Sequence, residues 1–304
     1  MDIETLKLLR EVMRTRSFTD VANARGVAPS SISRSIAALE AELGVRLLQR
    51  STRKLEPTEA GLQYVKHMSR VLDELDNARQ VALDMSETPQ GTLRISTAVN
   101  FGQEVLVPLL PTFTQLYPQL RVEVLFSDVY VDVIEERIDV ALRVGSIHDS
   151  NLIARELMPM NFYICASPSY LARYGTPRQP DDLRQHDCLL FPRTGYNFNW
   201  RFRTPDGKLL EIPIQGKVLI NQSLAIKKCL LAGMGISLIP DWLVSNEVHS
   251  GQLIRLFSDY AVTATDFNGA VWLLYPSRDY LPLKVKVFNQ FMLEQMHQNG
   301  LKRT

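Results

Sequence analysis

Four serines and an arginine share one short stretch, VAPSSISRSIAALE, which runs from Val27 to Glu40. The serines are Ser30, Ser31, Ser33 and Ser35. Serine is a poor residue for a helix interior, yet the stretch continues with the apolar spacing of a helix. Hydroxyls can donate or accept hydrogen bonds, and the guanidinium of Arg34 can donate two in parallel. On an exposed helix face such groups suit the edges of nucleic-acid bases. The alternative is an ordinary solvated helix face.

Three helices are predicted around this stretch. The first covers Asp2–Arg16, where one face carries Ile3, Leu6, Leu9 and Val12. Ser17 and Asp20 have the spacing of a capping box, so the second helix should begin at Phe18 and end at Gly26. Pro29 suits the first turn of a third helix, which Gly44 ends. The buried face of that helix should be formed by Ile32, Ile36, Leu39 and Leu43.

A basic hairpin is predicted next, over Val45–Thr58. Its cations are Arg46, Arg50, Arg53 and Lys54, with no acid among them. Three helices and such a hairpin make a winged helix-turn-helix, in which the N-terminal residues of the second motif helix meet base edges. The groove-facing set would then be Pro29, Ser30, Ser31, Ser33 and Arg34. The hairpin would follow the minor groove or flanking phosphates through Arg50, Ser51, Arg53 and Lys54. An ordinary charged loop is the alternative.

A long helix is predicted from Thr58 to about Ser86. Its apolar residues follow a nearly heptad spacing at Leu62, Val65, Met68, Leu72, Leu75 and Ala82, with Arg79 at one seam position. Because a small domain cannot cover so long a stripe, a partner helix is expected, most simply from a second copy of the chain. Alternatively, the stripe packs on its own chain. The segment Glu87–Gly91 (ETPQG) reads as a hinge.

Strands and helices alternate from Thr92 onward. The predicted strands are LRISTAV, LRVEVLF, DVALRVG, NFYICAS, GKVLIN and ISLIP, and the predicted helices are Val105–Tyr117, Val129–Arg137 and Gln222–Leu231. The Pro-Asp-Gly of Arg203–Lys208 marks a turn between two further strands. This alternation indicates an α/β domain with mostly parallel sheets.

Composition and motifs exclude several classes of protein. With 304 residues, 45% of them hydrophobic, and a net charge of +1, the chain should form two or more globular domains. Neither a signal peptide nor a membrane-spanning run is visible. Three separated cysteines, Cys165, Cys188 and Cys229, suggest a reducing cytoplasm. No catalytic or metal motif occurs, and His186-Asp187-Cys188 lacks a second ligand pair. We therefore expect neither an enzyme nor a cofactor or metal.

Four blocks of the sequence resemble LysR-type transcriptional regulators. The most specific is Ser17–Gly61, which resembles the DNA-binding domain of that family. The other three resemble its effector-binding domain: GTLRIS with NFGQEVLVPLLPTFTQLYP, ICASPSYLARYGTP with PDDLRQHDCLLF, and LLAGMGISLIPDWLV. Ala28 departs from the family pattern, which often has Ser there, so an N-cap hydroxyl is missing. Pro29 could offset part of that loss.

The resemblance implies an organisation. Residues 1–58 would form the winged helix-turn-helix domain, and 59–90 the linker or dimerisation helix and hinge. Residues 91–304 would form a two-lobed α/β effector domain like a periplasmic binding protein. Lobe one would span about 91–160 and 267–304, and lobe two about 161–266. The implied partners are double-stranded operator DNA, a small organic acid, and further copies of the chain in a dimer of dimers. RNA polymerase is a further expected partner, and a membrane is not.

An effector site is predicted where the strand LRISTAV meets the next helix, because free N–H groups there suit a carboxylate. Lobe one would contribute Thr97, Asn100, Phe101, Gly102 and Gln103. The resemblance places the opposite helix start, at Asn221, Gln222 and Ser223, in the same cleft. Its apolar walls would come from Phe101, Phe191, Tyr196 and Trp200, which could equally be core residues. Arg143 could bind an anionic ligand or pair with Asp139 or Asp128.

Three other functions would require different sequence features. A redox-sensing regulator would need an accessible cysteine of low pKa with a resolving partner, and no two cysteines adjoin here. A solute-binding protein would carry an export signal instead of a winged helix. A chromosome-architecture protein would be more basic and would not need a two-lobed cleft.

Overall fold

The structure is a computed structural model that describes residues 2–50, 55–85, 88–129, 133, 136–145, 152–192, 198–276 and 280–298. Arg50, Asn77, Gln80 and Leu83 are described by their backbone alone. The chain divides into two compact units, Met1–Ser86 and Glu87–Thr304.

The first unit consists of helices and one small hairpin. Its elements are α1 (Ile3–Thr15), α2 (Phe18–Arg25), α3 (Pro29–Leu43), β1 (Leu48–Arg50), β2 (Leu55–Pro57) and α4 (Glu59–Asp84). The strands pair antiparallel, with Leu48 opposite Pro57 and Arg50 opposite Leu55. The predicted helices, hairpin and long helix are therefore confirmed, with ends that differ by at most three residues.

Local signals explain where these helices begin and end. The side chains of Asp2 and Ser17 accept hydrogen bonds from the N–H groups of Thr5 and Asp20, which satisfies first-turn donors of α1 and α2. Gly26 and Gly44 adopt left-handed conformations after α2 and α3. Ala28 precedes α3 without a side-chain cap, as its methyl group requires.

The core of the first unit is formed by one face from each long helix. α1 contributes Leu9 and Val12, and α3 contributes Ile36 and Leu39, all of them buried. Two residues of the predicted faces differ, since Ile3 is exposed and Leu43 is half-buried. These faces hold α3 so that its opposite side is open to solvent.

The predicted single seam along α4 is wrong. Met68 and Leu72 are buried in the core of their own unit, because the first half of α4 packs against α1. Arg10 of α1 also pairs with Asp73 at 3.2 Å. Leu62, Leu75 and Ala82 of the predicted seam are exposed. From Val71 onward, exposed apolar side chains also form a stripe with spacings of four, three, four and three residues: Val71, Leu75, Ala78, Ala82 and Met85.

The second unit contains all the remaining elements. In chain order they are β3 (Gly91–Thr97), α5 (Val99–Phe101), a π-helical segment (Gly102–Leu106), α6 (Val107–Leu116), β4 (Leu120–Phe126), β5 (Val140–Gly145), β6 (Leu152–Pro159), β7 (Phe162–Ala166), α7 (Pro168–Tyr174), a 3-10 helix (Pro180–Gln185), β8 (Leu189–Leu190), β9 (Asn199–Arg203), β10 (Leu209–Pro213), β11 (Val218–Leu219), α8 (Ser223–Leu231), β12 (Ser237–Pro240), α9 (Asp241–His249), β13 (Ile254–Leu256), β14 (Ala261–Thr263), β15 (Ala270–Pro276) and α10 (Leu283–Gln298).

Two lobes are visible in this unit. Lobe one is a five-stranded sheet in the order β4-β3-β5-β15-β6, with α6 and α10 packed on its core. Lobe two contains the sheet β12-β7-β13, the sheet β10-β9-β14 and the pair β8-β11. The chain crosses between the lobes after β6 and again before β15. Met160 and Gly269 join these crossings through an N–H···O bond of 3.0 Å.

The expectation of mostly parallel sheets is wrong. Parallel pairing joins β3 to β4 and to β5, and β8 to β11, whereas the other strand pairs of the described residues are antiparallel. The reason is that β15 returns from lobe two and enters the lobe-one sheet between β5 and β6 in the opposite direction. In lobe two, β9 and β10 form the hairpin predicted around the Pro-Asp-Gly turn.

Two predicted helices differ from the structure or lie largely outside its described residues. The helix predicted from Val105 begins earlier, at Val99, because α5, the π-helical segment and α6 follow one another without a break. The helix predicted over Val129–Arg137 lies largely outside the described residues.

Candidate DNA-binding surface and effector cleft

The predicted recognition residues lie on the side of α3 that faces away from the core. Pro29, Ser30 and Arg34 are exposed, and Ser31 and Ser33 are half-buried. The Arg34 Nε group donates to the Ser30 carbonyl at 3.4 Å, so this side chain lies back toward the start of the helix. The guanidinium is thereby held beside the serines.

The rest of this surface is built from short side chains. Ala37, Ala38 and Ala41 are exposed along the same helix, and Arg34 is the only charged residue among the exposed positions from Pro29 to Ala41. Because methyl and hydroxymethyl groups project little, the α3 backbone can approach another surface closely. The N-terminal end of α3 also carries partial positive charge, which favours a phosphate.

The hairpin is anchored to the start of α4. The Thr58 N–H donates to the Leu47 carbonyl at 2.9 Å, and the Thr58 hydroxyl donates to the Arg46 carbonyl at 2.7 Å. That hydroxyl also accepts from the Gly61 N–H, so it caps α4. A Cβ at Gly61 would lie 2.1 Å from the Leu47 oxygen, so only glycine fits this close approach.

The cations of the hairpin are only partly described. Arg46 is exposed at its root. The Arg50 backbone lies in β1, but its side chain falls outside the described residues, as do Ser51, Arg53 and Lys54.

In the second unit, Thr97 and Gly102 pack tightly at the turn that follows β3. Thr97 is fully buried and its hydroxyl donates to the Ala98 carbonyl at 3.2 Å. Gly102 is also buried, and its backbone packs so closely that an added Cβ would lie 2.4 Å from the Thr97 methyl group. Thr97 and Gly102 therefore help to position the helix that follows β3, and their expected effector role stays a prediction.

Side chains of lobe one reach the N-terminus of α8 in lobe two. The Asn100 side-chain oxygen accepts from the Leu224 N–H at 3.4 Å. Asp128 accepts from the Val99 N–H at 2.9 Å through one oxygen and from the Gln222 side-chain amide at 3.5 Å through the other. An internal carboxylate thus occupies the helix start at which a ligand carboxylate was expected.

An ion-pair group joins the two lobes one helical turn further along. Lys227 of α8 lies 3.4 Å from the Glu104 carboxylate of lobe one and 2.7 Å from the Glu247 carboxylate of α9. Its ammonium also donates to the Leu243 carbonyl at 3.0 Å. Lys227 is only 15% exposed and Glu247 16% exposed, so solvent screens this group weakly.

Two of the aromatic residues expected to line the cleft belong to the core. Phe101 is fully buried and meets Trp242 edge-to-face, with ring centroids 5.4 Å apart. Trp200 is buried in the core of lobe two. Phe191 is half-buried against the cluster that includes α8 and α9. Tyr196 lies outside the described residues. Core packing, the alternative left open by the sequence, applies to Phe101 and Trp200.

The remaining expected effector residues differ in their surroundings. Arg143 donates to the Ser96 hydroxyl at 2.8 Å and to the Ser127 carbonyl at 3.4 Å. Asp139, one of the partners left open for Arg143, binds the Lys284 ammonium at 2.6 Å. Gln103 and Asn221 are exposed, and Ser223 is half-buried at the start of α8.

Comparison with known families covers almost the whole chain. The family model described as "Bacterial regulatory helix-turn-helix protein, lysR family" matches residues 3–62, and the one described as "LysR substrate binding domain" matches residues 86–297. The chain belongs to the LysR family of transcriptional regulators. The predicted family and fold class are therefore confirmed.

Individual relatives agree with this assignment. The HTH-type transcriptional regulator CrgA of Neisseria meningitidis is 34% identical over 296 residues, which are 97% of each chain. The HTH-type transcriptional activator AaeR of Escherichia coli is 34% identical over 285 residues, 94% of this chain and 91% of that one. Among solved structures, CrgA matches with a TM-score of 0.61 at 33% identity, covering 97% of this chain and 99% of that one. The Vibrio cholerae virulence activator AphB matches with a TM-score of 0.63 at 28% identity and the same coverage.

Cys165 and the segment His186-Asp187-Cys188 have structural roles in this LysR-type regulator. Burial raises the pKa of both Cys165 and Cys188 to about 12, which makes their thiols poor nucleophiles. The Asp187 and Cys188 carbonyls lie where Cβ atoms of Gly235 and Gly216 would be. The segment His186-Asp187-Cys188 is therefore tightly packed against neighbouring backbone segments of the same chain. Among the described residues no cluster of His, Cys, Asp or Glu is placed to hold a metal, and no helix is long and apolar enough to cross a membrane.

Sequence reasoning missed Asp128 as a helix cap and Lys227 as a link between the lobes. Both are polar residues in or beside amphipathic segments, which is where solvent-exposed residues are also found. Their partners lie far away in the sequence: Glu104 and Lys227 are 123 positions apart. No local pattern could therefore have identified either residue.

Proposed function

We propose that this LysR-type regulator reads its operator through α3 and the hairpin, and that a small organic anion bound between the lobes controls this binding. The observation that carries the first part is the outer face of α3. It combines the exposed Ser30 and Arg34 with alanines short enough for the helix to enter a major groove. Arg34 would pair with guanine, and the serines with bases or phosphates.

Phosphate contacts are assigned to the hairpin. Arg46 is exposed at its root, and Arg50, Ser51, Arg53 and Lys54 follow in the sequence. These contacts set the salt dependence of binding without contributing sequence discrimination.

A second copy of the chain is the proposed partner of α4. Its exposed stripe from Val71 to Met85 has heptad spacing, which is the pattern of a helix that packs against another helix. Two chains joined in this way would present two α3 helices to an operator with dyad symmetry. Assembly into a dimer of dimers and contact with RNA polymerase remain predictions, as does a cytoplasmic location.

The proposed effector position is that of the Asp128 carboxylate. This carboxylate accepts a hydrogen bond from the helix start in lobe one and another from Gln222 in lobe two. A ligand carboxylate that took its place would be offered the same donors. Asn100 and Gln103 follow Val99 in lobe one, and Asn221 and Ser223 flank Gln222 in lobe two. Such a ligand would change how the lobes contact each other, and only a ligand that binds two arrangements unequally can shift their populations.

The redox-sensing alternative has weaker support. One structural neighbour is the regulatory domain of Vibrio vulnificus AphB treated with cumene hydroperoxide, at 25% identity. In this chain Cys165 and Cys188 are buried with raised pKa values, which argues against either as the sensor. The solute-binding alternative does not account for the helix-turn-helix match.

The test is a nuclease footprint on the DNA upstream of the gene that encodes the protein, with and without a panel of small carboxylic acids and their amides. We expect a protected region with dyad symmetry, whose pattern changes with an acid but not with its amide. The Asp128→Asn variant should respond at lower acid concentrations, because the internal competitor loses its charge. Protection that no acid alters would refute the effector proposal and leave the DNA proposal standing.

A further inference from the structure

We propose that Glu40 is a positioning residue that fixes the DNA-binding hairpin to the recognition helix. One oxygen of its carboxylate accepts two backbone hydrogen bonds, from the Leu47 N–H at 2.7 Å and from the Leu48 N–H at 2.9 Å. Glu40 lies in the last turns of α3, whereas Leu48 is the first residue of β1. The carboxylate is thus a bridge between the two elements proposed to contact DNA.

The hairpin needs this bridge because its own pairing is short. Each strand has three residues, and the residue opposite Leu48 is Pro57, which has no N–H to donate. A two-stranded hairpin of this size is barely stable alone in water. The root of the hairpin therefore depends on acceptors and donors from neighbouring elements.

The same peptide segment is also held from the other side. The Leu47 carbonyl accepts from the Thr58 N–H, at the start of α4, while the Leu47 N–H donates to Glu40. Leu47 itself is 1% exposed. The root of the hairpin is consequently bound to α3 on one side and to α4 on the other. Of these two links, only the one to α3 depends on an ionisable side chain.

A fixed offset between α3 and the hairpin affects DNA binding in a specific way. If the offset is fixed, base contacts by the helix and phosphate contacts by the hairpin form together, without a further ordering cost. If the link is removed, the hairpin contacts must be ordered on binding. Its removal should therefore reduce the number of phosphates engaged, and with it the salt dependence, on any duplex sequence.

The test compares Glu40→Ala with Glu40→Gln in the full-length protein. Glutamine is the matched control, because its carbonyl oxygen can accept both hydrogen bonds without a charge. The first measurement is amide hydrogen exchange at Leu47 and Leu48. We expect exchange to be at least about tenfold faster in Glu40→Ala and close to wild type in Glu40→Gln. Unchanged exchange in Glu40→Ala would overturn the proposal without any reference to DNA.

The second measurement is binding to a fluorescein-labelled duplex of mixed sequence over a range of salt concentrations. We expect Glu40→Ala to bind about tenfold more weakly and to have a shallower salt slope, by about one for each phosphate that the hairpin no longer engages. Arg50→Ala should weaken binding less in the Glu40→Ala background than in wild type. Equal Arg50→Ala effects in both backgrounds would overturn the positioning role.

This inference rests on the proposed DNA contacts of the hairpin, and the two can fail separately. An Arg50→Ala variant that binds DNA like wild type, with an unchanged salt slope, would remove Arg50 from the proposed interface and overturn the DNA-binding part of the Glu40 proposal. The exchange measurement would then still decide whether Glu40 holds the hairpin root.

Discussion

The two compact units of this protein differ in how their functional residues are held in place. In the first unit, the outer face of α3 follows from caps, glycines and apolar spacing within the same few turns. In the second unit, Asn100, Glu104 and Asp128 meet α8 from positions about a third of the chain away. An exposed surface can therefore be specified by local signals, whereas a cleft depends on distant parts of the chain.

The largest expected effect tests whether local contacts really dominate the first unit. Gly61→Ala would place a Cβ 2.1 Å from the Leu47 backbone oxygen, which cannot move away easily. We expect the free energy of unfolding of this unit to fall by about 3 kcal/mol, with DNA binding reduced in proportion. Gly44→Ala is the control: its backbone is left-handed but nothing lies within 4 Å of the added Cβ, so its cost should be about 1 kcal/mol. Denaturant unfolding would measure the free energy of unfolding of both variants. Equal losses would mean that the contact with the Leu47 oxygen adds nothing to the cost at Gly61.

The next effect tests the dependence of the second unit on distant contacts. Lys227→Met removes the cation shared by Glu104 and Glu247 and leaves the weakly solvated Glu247 carboxylate unpaired. The other oxygen of Glu247 is already buried without a hydrogen-bond partner in the described structure. We expect a fall of about 2 kcal/mol in the stability of this unit, measured by urea unfolding.

The neighbouring residue supplies the control for Lys227. Lys228 lies on the same helix but is exposed, so Lys228→Met should change the stability by less than about 0.5 kcal/mol. If the two variants were equally stable, the ion-pair group would not contribute measurably to the stability of this unit.

A smaller effect concerns the base contacts assigned to α3. Arg34→Ala should weaken binding to the footprinted operator by about tenfold, or about 1.4 kcal/mol, and binding to unrelated duplex by much less. Fluorescence anisotropy at one fixed salt concentration measures both affinities. Arg46→Ala, at the root of the hairpin, is the control and should weaken binding to both duplexes equally. An equal reduction on both duplexes for Arg34→Ala would place this residue among the phosphate contacts.

The smallest effect is a pH dependence within the first unit. Hydrogen bonds from Arg25 hold the pKa of Glu11 below its ordinary value of 4.5. A lowered acid pKa stabilises the folded state above the ordinary value, and this contribution disappears as the pH falls from 4.5 through the lower folded-state value. Because Glu11 is 39% exposed, we expect only about 0.5 kcal/mol.

Glu11→Gln should therefore flatten the fall in stability between about pH 5 and about pH 3. Glu4→Gln is the control, since Glu4 is 70% exposed and lies 3.8 Å from Arg25. Urea midpoints measured across this range would decide the matter. An acid limb as steep in Glu11→Gln as in wild type would mean that the pair does not stabilise the fold.

Prediction from the sequence succeeded where periodicity and capping act over a few residues. It placed α1, α2 and α3 within one residue of their ends, and the hairpin within three. It was wrong about the α4 seam, because heptad spacing alone does not say which part of a stripe is covered by the helix's own unit. Met68 and Leu72 satisfy the pattern of a partner interface, yet α1 covers them.

The cleft shows the same limit in another form. Asn100 and Gln222 were expected to face each other, and the structure places their side chains in contacts that cross the lobes. The sequence left Phe101 and Trp200 open between a cleft wall and the core, and both are buried. An apolar aromatic residue satisfies either environment, so only its neighbours in three dimensions decide between them.

By itself the sequence determined the helices of the first unit, the outward face of α3 and the family to which the chain belongs. The helices and the outward face depend on backbone caps and on apolar repeats that the nearest residues specify. The tertiary structure alone decided that Asp128 occupies the helix start, that Lys227 links the lobes and that β15 enters its sheet in the opposite direction. The physical reason is that hydrogen bonds and ion pairs act over a few ångströms in space, regardless of how many residues separate their partners along the chain.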